Sequence, residues 1–352
     1  MGNKVYKSYN QQIKILRSRG ISINKGSAGS RAKEVLKREN YYNVVNGYKG
    51  LFLDVQSSTI NEQYKSGVTF DEINALYTFD RDIRIIYLKY LLIIENNIKA
   101  VISHDFSNKY GYDNYLKLDN FQCNATSDLS ELKRISKIYN LDINDNFDEI
   151  KRISAVNNTS AITKLIGEIQ QEISRQLSKN HQMVTHYMIN HGYIPLWVLV
   201  NVLTFGKITN FYLNLKEQDK IDIAKEFGVH YKELHKYMRI LGLARNKCAH
   251  DERFYDIKFR LRLHTRSIRN FSILGLQRDK SGSYKNGTND AFAVAIIFSQ
   301  MLKKCELKEF ISSMSKAISK LEKQLNSISI NDVLDVMGYP DNWKQLIRIA
   351  KN

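Results

Sequence analysis

The sequence predicts an all-α fold. Only two prolines, Pro195 and Pro340, occur in 352 residues, so there are few points at which a helix is forced to stop. Isoleucine, leucine, lysine and asparagine are plentiful, a composition that suits helices better than a sandwich of many short strands. Apolar residues recur at steps of three and four over long stretches, the spacing of one helix face. An apolar fraction of 43% supports a real core, and the length suits one large domain or two ordinary ones. The expected division is an N-terminal helical extension over residues 1–65 and a helical core over 66–256 with a polar insertion near 120–160. A basic extended segment and a C-terminal helical extension follow over 257–352.

Taken in order, residues 1–60 read as short helices. Gln11 to Ser18 makes a turn or two, stopped by Gly20. Residues 24–30 form a loop, and Ser30 is placed to cap a helix through Lys37. The glycines of that loop do not make a phosphate loop, because no Gly-Lys-Ser/Thr follows and no strand precedes. Tyr41, Tyr42 and Tyr48 cluster beside Lys37, Arg38 and Lys49, where they could stack on unpaired bases or pack a helix on the core. The strongest helix signal lies in residues 70–108, starting near Thr69 and Asp71 with a stripe of Ile83, Tyr87, Leu91, Ile94, Ile98 and Val101. Glu95 shares its face with Leu91 and Ile98, and a buried carboxylate needs a partner. The expectation is that Glu95 pairs with Arg245 or orients His250. His104, about 180° round an ideal helix from Glu95, reads as a partly exposed residue with no role.

Residues 109–160 are polar, with Tyr110-Gly111-Tyr112 closing the long helix and Leu129 to Tyr139 forming an exposed one. Ile162, Leu165, Ile166, Ile169 and Ile173 restore the helical stripe. His181, His186 and His191 lie five apart, which is not the spacing of a helical metal pair, and no acidic third ligand accompanies them. Pro195 suits a first helical turn, Trp197 and Val200 are expected to face inward, and Gly206 to break that helix. Ile257 to His264 alternates strictly, so in extended form it has one apolar and one cationic face. Residues 290–326 read as one long amphipathic helix carrying Phe292, Ala295, Ile296, Ser299 and Leu302. The tail from Ile330 to Ile349 reads as a small helical cap.

The stretch of greatest chemical interest is Leu241-Gly242-Leu243-Ala244-Arg245-Asn246-Lys247-Cys248-Ala249-His250-Asp251. Leu234, Tyr237, Leu241, Ala244 and Cys248 form a helical stripe leading into it. Arg245 falls at the edge of the buried face, and Asn246 and His250 share another face. Arg245 and His250 are about 140° apart on an ideal helix, so one straight helix cannot aim both at one atom. Either the helix distorts or a second copy of the chain completes the site. These residue types suit phosphodiester chemistry. Histidine moves protons near neutrality, and arginine offers a planar fork to phosphate oxygens. Asparagine can hold either in place. With an RNA substrate the 2′-hydroxyl can be the nucleophile, giving a 2′,3′-cyclic phosphate without a metal ion or other cofactor.

A formal net charge of +17 implies a polyanionic partner, nucleic acid by default, with binding that weakens steeply with salt. Lys247, Arg253, Lys258, Arg260, Arg262, His264 and Arg266 form the candidate phosphate track. Three well-separated cysteines argue against a disulfide framework and against a zinc site. The N-terminus lacks an apolar signal core, and no apolar run reaches the roughly 18 residues of a membrane span. The expected location is the cytoplasm, with no membrane partner.

Arg245-Asn246-x-x-x-His250 resembles the catalytic motif of HEPN ribonucleases, and its surroundings resemble AbiD/AbiF-type abortive-infection proteins, the Abi-like family. The matching blocks run from Gln12-Ile13 through Arg19-Gly20-Ile21, then Asn40 to Lys49, then Thr69-Phe70-Asp71-Glu72-Ile73 through Asp80-Arg81. They continue with Ile93-Ile94-Glu95, Pro195-Leu196-Trp197-Val198, Leu203-Thr204-Phe205-Gly206, and Met337-Gly338-Tyr339-Pro340-Asp341-Asn342-Trp343. The resemblance implies a HEPN-type bundle of four to five helices and a metal-independent endoribonuclease acting as an antiphage toxin. It implies that Arg245, Asn246 and His250 are catalytic and that such motifs work in pairs across a two-fold homodimer. It further implies restraint by a cognate small structured RNA in some relatives. The competing reading is a non-catalytic structured-RNA-binding protein of a phage-defence system, in which Arg245 and His250 are structural.

Overall fold

The computed structural model describes residues 5–54 and 62–351. Parts of the expected N-terminal extension, residues 1–4 and 55–61, lie outside them. The described residues are mostly helical, with isolated β-bridges and no named strand, so the all-α class holds. The chain packs as two units, Met1–Leu91 with Leu243–Asn352, and Leu92–Gly242. The unit boundaries, Leu91/Leu92 and Gly242/Leu243, fall inside two helices.

In the first unit, α1 (Tyr9–Ser18) opens on a reciprocal cap. Ser8 N–H donates to Gln11 Oε1 at 2.9 Å and Gln11 N–H to Ser8 Oγ at 3.4 Å, so two end amides that a helix cannot satisfy find partners. Helix α2 spans Ser27–Glu39 and starts from Gly26 rather than from Ser30. A π-helical turn, Tyr42–Asn46, follows. Helix α3 (Phe70–Tyr110) runs from this unit into the other. At its start Thr69 and Glu72 cap each other, and the other Glu72 oxygen accepts from Asn326 N at 2.7 Å, Ser327 N at 2.6 Å and Ser327 Oγ at 2.9 Å. One buried carboxylate therefore both starts α3 and anchors the C-terminal tail.

The sequence between residues 290 and 326 is two helices, α11 (Ala291–Met301) and α12 (Lys304–Glu322), not one. Every residue of α11 is buried; a helix apolar on all sides belongs inside a core, and its run breaks where Leu302 turns extended. Tyr87 packs edge-on to Phe254 and Phe310 at 4.7 and 5.2 Å between ring centroids, and its hydroxyl donates to Ala291 O at 3.0 Å. Burying each such ring contributes about 1.5–3 kcal/mol. Helix α13 (Ile330–Met337) ends at Gly338, whose φ is +81°. A Cβ at that position would fall on the Asp290 carboxylate, which caps α11 through Ala293 N at 3.2 Å and accepts from Gly287 N at 2.8 Å.

The second unit holds the rest of α3, then α4 (Leu129–Tyr139), α5 (Phe147–Ser178), α6 (Gln182–His191), α7 (Leu196–Leu199), α8 (Phe205–Asn214), α9 (Glu217–Glu226) and most of α10 (Tyr231–Ala249). The polar stretch near 120–160 contains an apolar cluster. Leu132, Ile135 and Ile150 bury against Leu141, Ile143 and Ile153, so α4 and the start of α5 share a small core of their own. Trp197 is 48% exposed, against the inward placement expected, while Val200 is buried. Thr204 caps α8 through Lys207 N, so Gly206 sits in the first turn of a new helix and breaks none. Phe106, Phe121 and Phe211 form one cluster at 5.2–5.7 Å.

Two stability predictions follow from this packing. Gly338→Ala should lower stability by more than about 2 kcal/mol, combining left-handed strain with displacement of the α11 cap, and thermal unfolding would register it. Burial, helped by Arg239 and Lys220, depresses His235 to about 4. The folded chain then stays unprotonated there while the unfolded chain takes up a proton, so stability should fall as pH drops from about 6.5 towards 4. The fall should amount to something on the order of 1–3 kcal/mol and should flatten in His235→Gln when denaturant midpoints are compared across that range.

Candidate functional site

Helix α10 carries the motif as its apolar stripe requires. Leu234, Tyr237, Leu241, Ala244 and Cys248 are all buried. Arg245 is half-buried at the edge of that face, and Asn246 and His250 are exposed. The helix stays regular to its end. His250 N–H donates to Asn246 O at 3.0 Å, and the chain turns only at Asp251, where φ is +56° and Glu252 N–H reaches Lys247 O at 3.2 Å. No distortion brings Arg245 round to the side of His250. The apolar Cys248 site pushes its thiol up to about 12, with the Asp80 charge adding to the effect.

The segment that leaves the helix is held by Asp80, which is fully buried. Its carboxylate accepts from Tyr255 N at 2.6 Å, Phe254 N at 3.2 Å and the Tyr48 hydroxyl at 2.6 Å, with Arg84 NH1 at 3.8 Å. Burial pushes this carboxyl up, opposed by Tyr48, Arg84 and the two amides. Arg84, itself buried, donates to Glu252 O at 2.8 Å and pairs with Asp251 at 2.6 Å. The residues immediately after His250 are thereby tied to α3 and to the Tyr42–Tyr48 turn.

These ties enclose a cleft of about 590 Å³, lined by Tyr42, Asn43 and Asn46 on one side and by Lys247, Asp251, Arg253 and Lys258 on the other. A π-helical turn is an uncommon backbone that recurs at functional sites. Here it presents exposed Tyr42 and Asn43. Sequence reasoning singled out Tyr42 as one of a cluster but missed Asn43, Asn46, Asp80 and Arg84. An Asp80-x-x-x-Arg84 pair inside an apolar stripe was the available signal, since only a built polar site keeps two charges in such a setting.

The expected phosphate track divides. Lys247 pairs with Glu252, Arg253 with Asp256 at 2.9 Å, and Lys258 with Asp290 at 3.3 Å, so these cations are compensated. Arg260, Arg262, His264 and Arg266 are exposed, while Ile257, Phe259 and Leu263 are buried. The alternation is therefore real, but it is carried by an irregular extended segment, not a strand. Phe259 N and Leu263 N donate to Asn289 O and Thr288 O at 2.6 and 2.8 Å. Glu95 lies in the other unit; it is buried, as expected, and meets Lys99 of its own helix at 2.8 Å. His181, His186 and His191 do not assemble into a metal-binding group, nor does any other set among the described residues.

Charge is distributed very unevenly. The unit containing the motif and cleft has 35 Lys and Arg against 19 Asp and Glu, whereas the other has 18 against 17. Almost the whole basic excess lies with the motif. Among the described residues no helix is long and apolar enough to cross a membrane.

As a class, this is an all-α protein whose basic half carries a polar cleft at the end of one helix. The family described as Abi-like protein matches residues 34–256, well over half of the chain, and the chain belongs to that family. The match takes in the blocks from Asn40 to His250 and leaves out those near Arg19 and Gly338. No curated protein and no solved structure matches the chain. Family membership points to abortive infection, a form of defence against phage.

The Asp80 network gives a direct test. Removing one partner of a buried charged cluster costs about 3–5 kcal/mol, so Asp80→Ala should be strongly destabilised and Asp80→Asn less so. In the intact protein a maleimide should label exposed Cys305 and spare Cys248. In Asp80→Ala, Cys248 should become reactive, as mass spectrometry of the labelled peptides would show.

Proposed function

We propose that this chain is a metal-independent endoribonuclease that acts as an abortive-infection toxin. The observation that carries the reading is the coincidence, on one unit, of the Arg245-Asn246-x-x-x-His250 helix end, the adjoining cleft and nearly all of the net positive charge. His250, exposed at the end of α10, takes the proton of a ribose 2′-hydroxyl or returns one to the departing 5′-oxygen. Arg245 stabilises the charge on the pentacoordinate phosphorus. Asn246 orients one or both, and Glu95 is a positioning residue. Arg260, Arg262, His264 and Arg266 track the RNA backbone, and Lys247, Arg253 and Lys258 join them when phosphate displaces their carboxylates.

A regular helix keeps Arg245 and His250 on different sides. Of the two arrangements the spacing allows, this supports completion of the site by a second copy in a homodimer. A cognate small structured RNA held on the same basic unit would restrain the toxin by occupying it.

In His250→Ala, RNA cleavage and growth arrest should fall by at least about a hundredfold, with unchanged unfolding and RNA affinity in a filter-binding assay. Cleavage by the wild-type protein should persist in excess EDTA. If His250→Ala instead loses affinity and the wild-type protein cuts no RNA, the chain is a non-catalytic structured-RNA-binding protein.

A further inference from the structure

The nearly neutral unit contains a second cleft, of about 660 Å³, which the ribonuclease reading does not use. Its floor is a strip of small and polar residues of α3: Asn96, Ala100, Ser103 and Ser107 recur at steps of three and four. The adjoining line of the same helix, Ile94, Ile98, Ile102 and Phe106, is buried apolar core. The wall is Trp197. An indole 48% exposed is unusual in a folded chain, and this one is braced from behind. Tyr112 meets it edge-on at 6.4 Å and is itself against Tyr193 at 4.8 Å.

The polar groups here have assigned capacities. The Asn201 amide nitrogen is committed to Trp197 O at 2.9 Å and Val198 O at 3.2 Å, so its amide oxygen is what it offers a ligand. Both basic side chains of the lining already face carboxylates, Lys99 with Glu95 at 2.8 Å and His104 with Asp105 at 3.2 Å. From Asn180 to Gly206 the chain contains no Asp, Glu, Lys or Arg at all. A planar aromatic wall with neutral donors and acceptors, and a cation already neutralised, suits an uncharged heterocycle with a hydrogen-bonding edge. It does not suit a phosphate.

We propose that this cleft binds a nucleobase, presented as a free nucleoside, stacked on Trp197 with its edge read by Asn201. The site is separate from the helix-end motif and does not rest on the ribonuclease reading. Its phosphate-free chemistry makes it a place for a small-molecule signal, not for gripping an RNA backbone.

The chain has two tryptophans, and Trp343 is buried, so Trp343→Phe leaves Trp197 as the sole reporter. Titrating that variant with adenosine, guanosine, cytidine and uridine should give saturable quenching by at least one of them. The midpoint should be about millimolar or tighter, and the matching 5′-monophosphate should bind no better. Ala100→Phe, at an exposed helical position, should fill the cleft and abolish saturation. Equilibrium dialysis of the wild-type chain with labelled nucleoside gives the same answer if Trp343→Phe fails to fold. Quenching that stays linear, or is unchanged in Ala100→Phe, overturns the proposal, as does binding that strengthens tenfold or more when a phosphate is added. Quenching seen only with longer RNA would assign the surface to strand binding and also overturn it.

Discussion

A buried carboxylate at Asp80 is the constraint around which the motif-bearing unit is arranged. Taking that charge out of water is costly, and the cost is offset only because two backbone amides, a tyrosine hydroxyl and a guanidinium converge on it. Those partners come from three stretches distant in sequence: the Tyr42–Tyr48 turn, α3, and the segment after His250. Satisfying one charge therefore fixes the relative position of the cleft walls. Arg84 extends the same logic to Asp251 and Glu252, so the chain leaves α10 in one direction. The exposed His250 gains a fixed backbone without being buried.

Electrostatics and packing divide the labour along the chain. The unit with the motif carries nearly all of the basic excess, so its field is the one a polyanion would feel at a distance. At close range much of that charge is already matched. Lys247, Arg253 and Lys258 face carboxylates, and a phosphate must compete with them, whereas the arginines beyond Lys258 are exposed. Long-range attraction and short-range grip thus fall on different residues. The other unit has the opposite character, with nearly balanced charge and exposed Tyr112 and Trp197.

Much of this was legible in the amino acids. The helical class, the α10 stripe and the burial of Glu95 follow from apolar spacing, which reports directly on one face of a helix. The alternation from Ile257 to His264 was visible for the same reason, although it cannot tell a strand from an extended segment held by Thr288 and Asn289. The single long helix expected over residues 290–326 failed because α11 is buried on all sides, and a run buried on every face has no period to mark its end. Trp197 was misplaced because hydrophobicity alone ranks an indole as core, while in the fold it lies at the surface against the exposed ring of Tyr112. Of the Asp80 network only the Asp80-x-x-x-Arg84 spacing lay in the sequence; Tyr48, Phe254 and Tyr255 are joined to it by tertiary packing. The breadth of the resemblance did reach the family, since most of its blocks fall within the matched residues.

The central claim is that the helix-end arginine and histidine cut RNA through the ribose hydroxyl. End-group analysis of a defined oligoribonucleotide tests it most directly. Incubation with the intact protein should yield a 5′ end that a polynucleotide kinase labels without prior dephosphorylation, and a 3′ end that resists periodate until the cyclic phosphate is opened and removed. One 2′-deoxy substitution at the cut site should block that cut alone. Products bearing a 5′-phosphate, or undiminished cleavage at the deoxy position, would contradict the account.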